Sequence, residues 1–133
     1  MTKPSHADRL AMAQRYAAAW SSGDPRAVAS FFEADGRVVI NNGEPIVGHA
    51  ALAEMAAGFH AEFPDLVIKL DDFRCSAENA VFAWTLEGKH AQTGNFVRVG
   101  GWEQWILTEA NTIAQSRGYF DADEYDRQIA EGI

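Results

Sequence analysis

The chain has 133 residues, 47% hydrophobic and 23% charged, the balance expected of one folded domain over 1–133. Eleven Lys and Arg against nineteen Asp and Glu give a net charge of −8, which argues against nucleic acid and anionic membrane as partners. Cys75 is the one cysteine, so an internal disulfide and a cysteine-built metal site are excluded.

The opening residues are polar and carry no apolar targeting stretch. The longest apolar runs, such as 80–84, are five residues, so no membrane span and a cytoplasmic location are expected. Ser5 can cap a first helix, in which Leu10, Ala13, Tyr16, Ala17 and Trp20 form one apolar stripe. Gly23, Asp24 and Pro25 end that helix and start a short second one, with Val28, Phe31 and Phe32 as its buried side. Val38, Val39 and Ile40 predict a strand, and Asn41, Asn42 and Gly43 a turn. Helical spacing returns over 48–62 through Leu52, Met55, Ala56 and Phe59, with Pro64 as the stop.

From residue 66 the pattern becomes four long strands, 66–74, 80–90, 96–107 and 112–120, joined by short polar links. A closing amphipathic helix over 121–131, capped by Asp121, carries Tyr125 and Ile129 four residues apart. Helices grouped before a meander predict an α+β fold, the helices packed on one face of a strongly bent antiparallel sheet.

This order resembles the nuclear transport factor two-like superfamily, in its SnoaL-like polyketide cyclase and ketosteroid isomerase-like branch. The likeness rests on residues 14–16 followed by Gly23 and Asp24, on 32–36 before a strand, and on 48–52 opening a helix. It continues in 86–90 through Thr93 and Gly94, and in 119–121 before the tail helix. The resemblance implies a cystatin-like cone whose sheet encloses a pocket, and homodimers through the outer sheet face. Fold alone does not carry the reaction.

Ketosteroid isomerases use a general-base aspartate and an oxyanion hole made of a tyrosine and a protonated acid. The resemblance puts the tyrosine on Tyr16, the protonated acid on Glu103 and the base on Ile40, which cannot take a proton. The Arg and two Asp of the related epoxide hydrolases fall on Trp84, Leu86 and Gly118, which disfavours that mechanism. In the polyketide cyclases an inward acid handles a proton at an activated carbon, a part open here to Glu103 or His90.

Strand alternation gives an independent reading of the pocket. With Glu103 inward, Gly101, Trp105 and Leu107 share its face, joined by Phe82, Trp84, Leu86, Gly88 and His90, and by Ser116, Gly118 and Phe120. The candidate catalytic residues are therefore Tyr16, Glu103 and His90. The candidate ligand-binding residues are Trp20, Met55, Phe59, Phe82, Trp84, Trp105 and Phe120. The alternatives are a Tyr16 that only packs the first helix and a His90 that points to solvent.

An acid walled by tryptophans is expected to have a raised pKa. The outward parity, Val81, Ala83, Trp102, Ile106, Ile113 and Tyr119, is apolar enough to predict a homodimer. His6, His49, His60 and His90 form no metal-ligand pattern, and no phosphate loop or dinucleotide fingerprint is present, so no metal or cofactor is implied. Two functions follow as expectations: an isomerase or cyclase acting on a small hydrophobic carbonyl compound, or a non-catalytic binding or scaffold protein of the same fold.

Overall fold

The computed structural model describes residues 3–133, so the first two residues of the polar opening stretch lie outside them. Four helices, α1 (His6–Ser21), α2 (Pro25–Ala29), α3 (His49–Glu62) and α4 (Ala122–Glu131), accompany one six-stranded sheet. Helix starts follow capping chemistry. Ser5 Oγ accepts the Asp8 N–H while Asp8 accepts the Ser5 N–H, a reciprocal box at the start of α1. Asp24 caps α2 ahead of Pro25, and Asp121 caps α4.

The strands are β1 (Phe32–Ile40), β2 (Ile46–Val47), β3 (Val67–Ser76), β4 (Asn79–Lys89), β5 (Phe96–Leu107) and β6 (Ile113–Phe120). Their order is β2-β1-β6-β5-β4-β3, with β3 to β6 an antiparallel meander. β1 departs from the simple expectation: it pairs parallel to β6, and it begins at Phe32 rather than near Val38. A register irregularity between Phe32 and Arg37 absorbs the extra residues. Gly36 permits it, because a Cβ there would lie 2.8 Å from Phe32 Cβ and 2.9 Å from the Glu33 carbonyl. The consequence is that Ile40 ends up opposite Gly118 on β6.

Two more irregularities, at Leu70/Asp72 and Ile106/Leu107, interrupt the ladders of the curved, unclosed sheet. The second corrects the outward face. Ile106 pairs with Gln115 but Leu107 pairs with Ile113, so Ile113 turns inward and is fully buried. Val81, Trp102 and Ile106 do face outward and are exposed.

Helix α1 packs against β3, α2 against α3, and α4 against β5. The core gathers on Tyr16, which meets Phe31, Phe32, Phe82 and Trp105 edge-on with ring centroids 5.2–6.1 Å apart. Phe82 and Trp105 stack at 5.0 Å. This aromatic nest fixes where α1 meets the sheet.

Candidate functional site

Glu103 sits on the inward face of β5, between Phe82 on β4 and Gly118 on β6. Three donors converge on one of its oxygens. Ser116 Oγ donates to Oε1 at 2.8 Å, Trp105 Nε1 at 2.9 Å and the Tyr16 hydroxyl at 3.1 Å. An indole nitrogen donates and cannot accept, so Oε1 must be an acceptor in that bond. Among the described residues no side chain or backbone group bonds Oε2. With Oε1 accepting from all three donors, a proton on Glu103 is held most readily by Oε2.

Glu103 is enclosed by protein yet keeps part of its surface open to a cavity of about 70 Å³. The cavity is also lined by Tyr16, Trp20, Met55, Phe59, Trp84 and Phe120, and by Tyr125 from α4. Val38, Ile40, Ile68, Leu86, Val99, Ser116 and Gly118 complete it. Apart from Glu103, the lining residues that carry a side-chain polar group are Tyr16, Ser116, Tyr125, Trp20 and Trp84. Burial raises the Glu103 pKa above the ordinary carboxylate range, against the lowering effect of hydrogen bonds from Trp105, Ser116 and Tyr16. Burial, with the nearby Glu103 carboxylate, raises the Tyr16 phenol well above its usual value.

Of the sequence-derived residues, the structure brings Tyr16, Glu103, Trp20, Met55, Phe59, Trp84 and Phe120 to this cavity. Phe82 and Trp105 lie behind it instead, stacked on each other against Tyr16, and Trp105 reaches Glu103 through its indole N–H. His90 does not join the group. It is buried on the inward parity, but eight residues beyond Phe82, about 26 Å along the strand at ~3.3 Å per residue. There Nδ1 accepts the Gln92 and Thr93 N–H groups at 3.3 Å, Nε2 lies 3.5 Å from Glu62 Oε1, and the ring packs on Phe63. Parity fixed its face and not its distance.

Two contributors were not anticipated. Alternation gives Ser116 its inward face but no role, and in the structure it bonds Glu103. Tyr125 lines the cavity from the tail helix while its hydroxyl donates to Glu62 Oε2 at 3.2 Å. The positions Ile40, Trp84, Leu86 and Gly118, onto which the resemblance carries other reactions' bases and acids, all line this cavity with side chains or backbone that cannot do that work. Among the described residues no group of three His, Cys, Asp or Glu could hold a metal ion, and no helix is long and apolar enough to cross a membrane.

Residues 13–114 match the family described as SnoaL-like domain. The chain belongs to this SnoaL-like family. Solved structures share the fold at low identity. A SnoaL-like polyketide cyclase, so described as a putative one, from Jannaschia sp. CCS1 is 15% identical, with a TM-score of 0.82 over 100% of this chain and 99% of that one. A hypothetical protein with a ketosteroid isomerase-like fold from Catenulispora acidiphila DSM 44928, in complex with trimethylamine, is 17% identical, with a TM-score of 0.82 over 90% and 92%. The epoxide hydrolase/cyclase-like enzyme SalBIII, of pyran ring formation in salinomycin, is 14% identical, with a TM-score of 0.81 over 91% and 96%. No curated protein matches the chain.

Proposed function

We propose that this SnoaL-like protein binds a small hydrophobic carbonyl compound and moves a proton at its activated carbon, as an isomerase or cyclase. Glu103 is the acid/base, acting through Oε2. The observation that carries this is the triple clamp on Oε1, which leaves one free carboxyl oxygen in an apolar cavity. Desolvation favours the neutral acid, so the same group is able to donate a proton as well as take one. Tyr16 commits its hydroxyl hydrogen to Glu103 and so acts as a positioning residue rather than as a separate oxyanion donor. With no second acid or base across the cavity, the substrate carbon must be acidified by its own substituents, as in a β-keto ester.

The relatives support a small-molecule role: one neighbour is described as a polyketide cyclase and another holds trimethylamine. A second reading, a non-catalytic binding protein, is favoured by Ile40, an apolar side chain lining the cavity at the position onto which the family resemblance carries the isomerase base. The proposal extends to a cytoplasmic location and to a homodimer through the outer sheet face, where Trp102, Ile106 and Val81 are exposed.

The experiment is α-proton exchange of a β-keto ester in deuterated buffer, followed by NMR. Exchange above the buffer rate, lowered about 10²-fold or more by Glu103→Gln, supports the enzyme. Binding without exchange identifies the carrier.

A further inference from the structure

Three inward layers follow one another along β4 and β5: Phe82 with Glu103, Trp84 with Gly101, and Leu86 with Val99. Glu103, Trp84, Leu86 and Val99 line the cavity, which therefore extends along about 13 Å of strand at ~3.3 Å per residue. Its volume is nonetheless about 70 Å³. The middle layer explains the shortfall. β5 contributes no side chain at Gly101, and the Trp84 indole occupies that place: a Cβ on Gly101 would lie 2.6 Å from Trp84 Cζ2 and 2.9 Å from Cη2. The Phe120 ring, 6.1 Å from Trp84, and the Tyr125 ring, 5.4 Å from Phe120, extend the aromatic wall toward α4.

We infer that Trp84, seated on Gly101, is the specificity-determining residue of the cavity, limiting the ligand group beside Glu103 to about one ring without negative charge. This rests on the acid/base reading of Glu103 for the chemistry, but its support is steric and electrostatic. An empty space of roughly 150 Å³ accommodates a benzene ring and fused-ring ligands need several hundred, so a cavity of about 70 Å³ takes a single ring only as its side chains give way, and has no room for a second. The cavity has no Lys, Arg or His in its lining, and Glu103 is its one carboxyl group. A ligand carboxylate would be desolvated there with no cation to pair with it, a cost that one hydrogen bond from a protonated Oε2 does not offset. A ketone oxygen, by contrast, accepts from a protonated Oε2.

The test is a binding panel on the whole protein, read by the indole N–H signals in 15N–1H spectra. Trp105 reports on Glu103, and Trp102, on the outer face, is the internal control. Cyclohexanone is expected to move the Trp105 signal, whereas 2-decalone and 4-oxocyclohexanecarboxylate leave it in place. Trp84→Leu is expected to admit 2-decalone with a gain of about tenfold or more, while still refusing the carboxylate. If Trp84→Leu does not fold, Trp84→Phe and the wild-type panel carry the test. Equal binding of cyclohexanone and 2-decalone to the wild type, binding of the carboxylate, or no response to any probe overturns the inference. Because the panel requires no turnover, a selective response without proton exchange removes the catalytic reading and leaves this one standing.

Discussion

Trp105 Nε1 lies 2.9 Å from Glu103 Oε1, although the two residues are neighbours on one face of the same strand. The strand period of two brings the indole and the carboxyl to the same side, and the stacking of Trp105 on Phe82 holds the donor still. Glu103 is thereby oriented by its own strand before Ser116 of β6 and Tyr16 of α1 add their bonds.

Tyr16→Phe removes one of the three donors and leaves Oε1 with two, so no buried group is orphaned. The expected loss of stability is about 0.5–1.5 kcal/mol by denaturant titration. Since the Tyr16 bond lowers the Glu103 pKa, its removal moves the pH inflection of proton exchange upward. An inflection that stays in place would show that Tyr16 does not act on Glu103.

The pH dependence of stability has a defined sign. Glu103 binds its proton more tightly in the folded chain than in the unfolded one. Its contribution is fully present below the ordinary glutamate range and is lost as pH rises through the raised folded value. The melting temperature of the wild type relative to Glu103→Gln should therefore fall with rising pH over that interval. A difference that is flat, or that grows with pH, contradicts a raised Glu103 pKa.

Gly101→Ala places a methyl group 2.5 Å from the Tyr119 carbonyl and 2.6 Å from the Trp84 ring. The backbone and the indole must both shift, at a cost of about 1–3 kcal/mol. Thermal melting checks the cost, and the Trp84 indole signal should move with it.

The exposed Trp102, whose ring lies 5.5 Å from Tyr119, and Ile106 define the proposed dimer face. Sedimentation velocity should give a dimer for the wild type and a monomer for Trp102→Glu combined with Ile106→Glu. A monomeric wild type removes the dimer from the proposal.

Much of this arrangement was legible in the residues themselves. Caps at Ser5, Asp24 and Asp121 place the helices, and alternation along β4, β5 and β6 groups the residues that share a face with Glu103, because these are local properties; that this face is the inward one is what the family resemblance implies. Residue spacing does not carry geometry that is not local. Ile113 changed faces at an irregularity that hydrophobic alternation does not reveal. Parity gives Phe82 and Trp105 the inward face, whereas packing on Tyr16 decides that these two rings are core and not cavity wall. The Ser116 bond to Glu103 depends on the register of β5 against β6, and the reach of Tyr125 on the docking of α4, neither of which is written in residue spacing.

The most direct check on the central proposal is a 13C titration of the Glu103 side-chain carboxyl in the intact protein. A midpoint clearly above that of a free glutamate, about 4.3, together with a Trp105 indole signal that follows the same curve, is the outcome the clamped, desolvated acid requires. A midpoint at or below that of a free glutamate, with Trp105 indifferent to it, would contradict the account.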